Sequence, residues 1–119
     1  MSENIIKEKS FNFALEVIEL YKKLKANNEF VLSKQLLRSW TSVGANVQEA
    51  TSAQSKKDFL SKMFIAAKEA RETKYWILLL DQSKIVNLNY TKYIQEIENI
   101  ISILTKITKT TSINIKNNL

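Results

Sequence analysis

Residues 30–50 read FVLSKQLLRSWTSVGANVQEA, and this stretch decides the fold class. Its apolar side chains recur at spacings of three and four residues, which places them on one face of an α-helix and the polar residues on the other. They are Leu32, Leu36, Trp40, Val43, Val47 and Ala50. The stretch contains no proline and only one glycine. It therefore predicts one long amphipathic helix from about Phe30 to Ala50.

Three more segments of the chain repeat this period and predict three further helices. Their expected ranges are about 11–25, 56–86 and 91–108. Polar breaks separate the helices, and Ser55 with Asp58 forms a helix-start signal before the third. Short connections between helices favour antiparallel neighbours. We therefore expect an all-α protein, an up-down-up-down antiparallel four-helix bundle.

The length of 119 residues fits one domain with one core. Residues 1–10 and 110–119 lie outside the four predicted helices, and we expect them to be frayed tails. No apolar run reaches the roughly 18 residues of a membrane span, and the first residues lack the apolar region of a signal peptide. A cytoplasmic location without membrane contact is the expectation.

The chain contains no histidine and no cysteine. This removes thiol and Ser-His nucleophiles, haem, iron–sulfur clusters and histidine-bearing metal sites as candidate chemistry. A carboxylate-only site at Glu49, Glu69 and Glu72 is the remaining alternative, for a nuclease or hydrolase. Carboxylates beside a core more often pair with basic or backbone groups. We therefore expect no enzyme activity, no metal, no cofactor and no small-molecule substrate.

The net charge of +6 favours a polyanionic partner such as RNA or DNA. An antiparallel bundle gathers several basic residues toward one end, and these are the predicted phosphate contacts: Lys22, Lys23, Lys25, Lys34 and Arg38, with Lys84 and Lys92 nearby. The opposite end gathers Lys56, Lys57, Lys106 and Lys109 as an alternative. A second interpretation is a protein-protein adaptor whose lysines are merely solvated.

Gly44, the single glycine, lies inside the second predicted helix, where glycine costs about 1 kcal/mol relative to alanine. Its neighbours Ser42 and Ala45 are also small. We interpret Gly44 as making room for a neighbouring helix or an indole. A local bend that shapes a binding surface is the alternative.

Residues 75–80, YWILLL, make the third helix apolar all round, although a four-helix bundle covers only one face of each helix. The fourth helix also has a wide apolar stripe. A contiguous exposed apolar surface usually marks an interface. We therefore predict homo-oligomer contacts at Trp76, Leu79 and Tyr93. The alternative is a wider core of the single chain with Trp76 partly exposed.

Residues 38–80 resemble the signature region of the bacterial four-helix-bundle family named for the 23S ribosomal RNA intervening-sequence protein. The matching elements are Leu36, Arg38, Ser42, Val43, Ala45, Asn46, Glu49 and Ala50, then Ser55, Asp58 and Phe59, then Lys68, Glu69, Glu72, Thr73, Tyr75 and Trp76. Residues 11–24 are similar to the family's opening helix. The resemblance implies a bundle associated with RNA, with Ser42, Asn46, Glu49, Glu69 and Glu72 as the polar motif residues.

That family is similar in fold to the accessory variability determinant of diversity-generating retroelements, a basic pentamer that associates with nucleic acid and a reverse transcriptase. This likeness implies a ring-shaped homo-oligomer, with five subunits favoured.

Overall fold

The computed structural model describes residues 2–118, which form four α-helices joined by short connections. The helices are α1 (Ser2–Ala26), α2 (Leu32–Thr51), α3 (Lys56–Ser83) and α4 (Thr91–Asn117). Each helix packs against two others, and within the described residues the pairs α1/α3 and α2/α4 are not in contact. The molecule measures 53 × 22 × 21 Å. The predicted all-α four-helix bundle is confirmed.

The core contains most of the apolar side chains that the sequence period selects, and Trp40 ties two helices together within it. The Trp40 ring meets Phe13 edge to face, with ring centroids 4.7 Å apart. Its Nε1 donates a hydrogen bond to the backbone oxygen of Ser10 at 3.1 Å. Because the indole N–H is buried, this bond removes the cost of leaving it unpaired.

The helices extend further than the sequence predicts at both termini. α1 begins at Ser2 rather than Phe11, because Ile6 is fully buried and Trp40 binds the backbone at Ser10. α4 continues to Asn117 rather than ending at Thr108. Residues 2–10 and 110–117 are therefore helical, and the prediction of frayed tails is wrong for them. Residues 1 and 119 of those predicted tails lie outside the described part of the chain.

The connection between α1 and α2 is organised by Glu29, which is 6% exposed. Its carboxylate accepts hydrogen bonds from three backbone amides at 2.6–2.9 Å, those of Val31, Leu32 and Ser33. These are amides that a helix N-terminus leaves without an intrahelical partner. Glu29 thus caps α2, which begins at Leu32 rather than Phe30.

The connection between α3 and α4 folds around a buried tyrosine. Lys84 ends α3 in the left-handed conformation, with φ of 54°, so the helix stops at Ser83 rather than Val86. Tyr90 is buried, and its hydroxyl donates to the backbone oxygen of Val86 at 2.9 Å. We call the end of the bundle that contains residues 27–31 and 84–90 the loop end, and the opposite end the tail end.

Gly44 does not make room for a neighbour. No heavy atom lies within 4 Å of the position that a Cβ would occupy, its own helix backbone aside. The residue instead borders an open groove of about 320 Å³ between α1 and α2, beside Ala14, Trp40 and Thr41. The interpretation of Gly44 as a site of close approach is therefore wrong within a single chain.

Candidate functional site

The loop end of the bundle is rich in lysine, as the sequence predicts. It contains the last turns of α1 and α3 and the first turns of α2 and α4. The lysines there are Lys22, Lys23, Lys25, Lys34, Lys84 and Lys92. Lys22 pairs with Glu19 at the surface, at 3.4 Å. The other five form no salt bridge with any described residue, so their charges remain available to an anion.

Two of these lysines lie over aromatic rings. The Lys25 Nζ is 5.1 Å from the centroid of the Tyr21 ring, and the Lys92 Nζ is 5.0 Å from that of Tyr93. Cation–π contacts of this kind orient an ammonium group without neutralising it. Both groups therefore keep their positive charge at the surface.

Acidic groups at the loop end are buried, half-buried or already paired with a lysine. The Glu29 carboxylate lies inside, hydrogen-bonded to the start of α2, and Asp81 is half-buried. Burial and the nearby charges of Asp81 and Glu29 raise the pKa of Tyr90 above its ordinary value. The loop-end surface is accordingly basic.

Arg38 does not join these lysines. Its Nη2 lies 2.8 Å from Glu72 Oε1, and the guanidinium also donates to Gln35 Oε1 at 3.1 and 3.2 Å. An arginine held by a carboxylate from the adjacent helix is not available to a phosphate unless that pair breaks. The structure therefore separates Arg38 from the predicted phosphate contacts.

The polar motif residues meet where α2 packs on α3, along a line that we call the polar seam. It comprises Arg38, Ser42, Asn46 and Glu49 of α2 with Lys62, Glu69 and Glu72 of α3. Asn46 Nδ2 donates to the backbone oxygen of Ser42 at 2.9 Å, and Glu49 pairs with Lys62 at 3.4 Å. Trp76 Nε1 donates to Glu72 Oε1 at 3.4 Å. Most of the seam is thus internally paired.

Glu69 is the exception within the polar seam. Its Oε2 is buried and has no hydrogen-bond partner among the described residues. Burial, together with the neighbouring charge of Glu72 and a hydrogen bond to it, raises the pKa of Glu69 above 4.5. Nearby Arg38 lowers the same pKa but does not reverse the shift.

The three carboxylates considered for catalysis do not form one site. Glu69 and Glu72 are adjacent, whereas Glu49 is engaged by Lys62. Within residues 2–118 no group of three or more acidic side chains is arranged to hold a metal ion. Glu49 therefore does not share a site with Glu69 and Glu72 in the single chain.

Two apolar surfaces lie on opposite sides of the bundle. On α3, Phe64, Ile65 and Tyr75 are exposed, and Trp76 and Leu79 beside them are half-buried; we call these five residues the α3 outer face. On α1, a stripe of exposed apolar side chains follows the helical period, and we call it the α1 outer face: Phe11, Leu15 and Ile18. Because α1 and α3 are a diagonal pair, their outer faces point in different directions.

Tyr93, the third predicted contact residue, belongs to neither surface. It is 3% exposed and lies in the core of the single chain. The core-facing stripe of α4 runs through Tyr93, Ile97, Ile100, Leu104 and Ile107, so Tyr93 lies on the buried side of the wide apolar stripe that the sequence predicts. The prediction that Tyr93 lies at an oligomer interface is therefore wrong.

The tail end contains a groove of about 450 Å³ lined by Ile5, Phe59 and Ile103, with Lys106 beside them. Lys56 and Lys57 lie at the start of α3 near the same end. The surface of this groove is mainly apolar, and Glu3 lines it together with Lys106. Among the described helices, none is both long and apolar enough to cross a membrane.

Comparisons with known proteins find one matching family model and a similar solved structure. The family model described as 23S rRNA-intervening sequence protein matches residues 2–106. A solved structure from Bacteroides thetaiotaomicron, described as a protein with unknown function from the S23 ribosomal protein family, is 44% identical with a TM-score of 0.86. The alignment covers 92% of this chain and 99% of that one. No curated protein matches significantly. The chain therefore belongs to the 23S rRNA-intervening sequence protein family.

Proposed function

We propose that this protein is a non-enzymatic, homo-oligomeric bundle of the cytoplasm that associates with RNA through phosphate contacts at the loop end. The observation that supports this proposal is a group of five loop-end lysines that form no salt bridge within residues 2–118: Lys23, Lys25, Lys34, Lys84 and Lys92. The acidic residues of the same end are half-buried, buried or already paired. A surface of this kind attracts a polyanion, because few of its carboxylates are free to repel the negative charges of that polyanion.

Phosphate contact by lysines has a distinctive energetic signature. Each neutralised phosphate releases condensed counterions, so the logarithm of the affinity falls linearly with the logarithm of the salt concentration. Contacts of this kind position the protein on a nucleic acid without reading its sequence. We therefore expect broad specificity and strong salt dependence from the lysines alone.

Self-assembly is the second part of the proposal, and the two outer faces support it. They are different surfaces on different sides of the bundle. A contact between the α1 outer face of one copy and the α3 outer face of the next is heterologous, and such contacts close into rings when the rotation allows it. A ring, with five subunits favoured by the family resemblance, would place several loop ends around one axis and multiply their charge.

Charge reversal at one end of the bundle tests the RNA proposal. In the first variant Lys23, Lys25 and Lys34 are replaced with Glu. The matched control replaces Lys56, Lys106 and Lys109 with Glu, which changes the net charge equally at the tail end. We expect the first variant to lose most of its affinity for labelled RNA and to show a flatter salt dependence, with unchanged helicity by circular dichroism. The tail-end control should lose far less of its affinity for the labelled RNA.

A protein-protein adaptor without nucleic-acid binding is the second candidate function, favoured by the exposed apolar residues of both outer faces. Equal loss of affinity in both charge-reversal variants would indicate that only net charge matters. Absence of RNA binding by the parent protein at low salt would contradict the RNA proposal and favour the adaptor.

A further inference from the structure

The loop end exposes apolar side chains among its lysines. Phe30 is 55% exposed and Val31 72% exposed in the α1–α2 connection, and Ile85 is 62% exposed in the α3–α4 connection. Lys25 and Lys34 flank the first connection in sequence, and Lys84 precedes Ile85. Both connections lie at the same end of the bundle, because each helix packs against its neighbours in an antiparallel arrangement. This end therefore combines an aromatic ring, two aliphatic side chains and several lysines that form no salt bridge with any residue the structure describes.

The backbone on both sides of Phe30 is fixed. The amide of Glu29 donates to the backbone oxygen of Leu24 at 2.9 Å, and the amide of Val31 donates to Glu29 Oε2 at 2.9 Å. The start of α2 follows at once. An exposed aromatic ring on an anchored backbone loses little conformational entropy when a ligand contacts it.

The positive charge of the loop end and its exposed aromatic ring together indicate which class of ligand fits it. Lysines provide contacts to phosphates but do not distinguish a duplex from a single strand. An exposed aromatic ring distinguishes a single strand from a duplex, because the ring can stack only on a base that is not already stacked on both sides. Aliphatic neighbours add apolar contact to the same base or its sugar.

We propose that the loop end binds single-stranded nucleic acid, with an unpaired base stacked on Phe30 and with the phosphates beside it contacted by Lys25, Lys34 and Lys84. This inference rests on the proposed function and adds a substrate class to it. The site takes any of the four bases, since each has a π-face, and it excludes the interior of a duplex.

Replacement of Phe30 tests the inference, with Ile113 as the control. Ile113 is a large apolar side chain that is 48% exposed, and it lies on α4 near the tail end, outside the loop end and both outer faces. The probes are a short labelled RNA without self-complementarity, the same RNA annealed to its complement, and a single-stranded DNA of the same sequence. Affinity is measured by fluorescence anisotropy across a series of salt concentrations.

We expect Phe30→Ala to weaken single-strand binding about 10-fold, the effect of losing one stacked base. The salt slope and the affinity for the duplex should stay unchanged, because stacking releases no counterions. Single-stranded DNA should show the same loss, since the base faces are shared. Phe30→Leu should behave like Phe30→Ala, Phe30→Trp should restore binding, and Ile113→Ala should behave like the parent protein.

Three results would overturn the inference. If Phe30→Ala binds single strands as tightly as Ile113→Ala does, while charge reversal still weakens binding, the stacking site is wrong and the phosphate proposal stands. If the parent protein binds neither RNA probe, both proposals fail. If it binds phosphatidylserine vesicles in a Phe30-dependent way but no nucleic acid, the exposed apolar residues insert into a membrane surface instead.

Discussion

Replacement of Glu29 with Ala tests how the loop end is built. The carboxylate accepts bonds from the amides of Val31, Leu32 and Ser33, the shortest at 2.6 Å. The hydroxyl of Ser33 returns a bond to the Glu29 backbone oxygen at 2.9 Å. The substitution removes all three carboxylate bonds and leaves the first turn of α2 without its cap.

The expected loss of unfolding free energy is about 2 kcal/mol. Loss of a helix cap costs about 0.5–2 kcal/mol, and loss of a negative charge from a helix N-terminus adds about 0.3–1 kcal/mol. The desolvation of a buried carboxylate, which the variant no longer requires, offsets part of this loss. Glu29→Gln keeps one side-chain oxygen as an acceptor, and its loss of unfolding free energy should be about half as large.

Urea unfolding measures this loss directly. With a slope of about 2 kcal/mol/M, the midpoint should fall by about 1 M. Glu19→Ala is the control, since Glu19 is an exposed glutamate of α1 paired only with Lys22 at the surface, and such pairs contribute little. If Glu29→Ala is as stable as Glu19→Ala, the carboxylate does not organise the loop end.

Three further predictions address the rest of the molecule. Gly44→Ala should stabilise the chain by about 1 kcal/mol in urea unfolding, because a Cβ has free space there. Destabilisation would show that the groove between α1 and α2 is occupied in the assembly. Glu69→Gln should stabilise the protein at pH 7 by about 0.5–1 kcal/mol, because its folded pKa is raised and the ionised form is therefore disfavoured on folding. That gain should disappear below about pH 4.5, the unfolded pKa, where the parent carboxyl is itself protonated; a gain independent of pH would contradict the burial argument. Tyr75→Glu should shift an oligomer toward smaller species in light scattering without loss of helicity, because Tyr75 is exposed in the single chain. A parent protein that is monomeric at micromolar concentration would disprove assembly through the α3 outer face.

The helices follow from the sequence because their apolar residues keep a local period. Most of the core positions of α2 and α3 are predicted by spacing alone. The start of α1 is missed because its first turns are polar except for Ile5 and Ile6, and only contact with another helix buries Ile6. Tyr93 is misassigned because a wide apolar stripe does not show which part of it faces the core.

The contacts that shape the candidate sites are long-range or unusual in form. Arg38 and Glu72 are 34 residues apart, and no local pattern predicts that they pair. Glu29 caps α2 from ahead of its first turn, and in sequence it looks like one more solvated residue in a polar break. The lysines of the loop end are predicted correctly because chain topology alone brings them to one end.

Amide hydrogen exchange with and without bound RNA tests the central claim most directly. The parent protein is saturated with a short single-stranded RNA, and exchange is followed by mass spectrometry of its peptides. We expect slower exchange in residues 27–34 and 84–92 and no change in residues 52–57 and 107–117. Protection confined to the tail end, or protection along α1 and α3 without the loop end, would contradict the account.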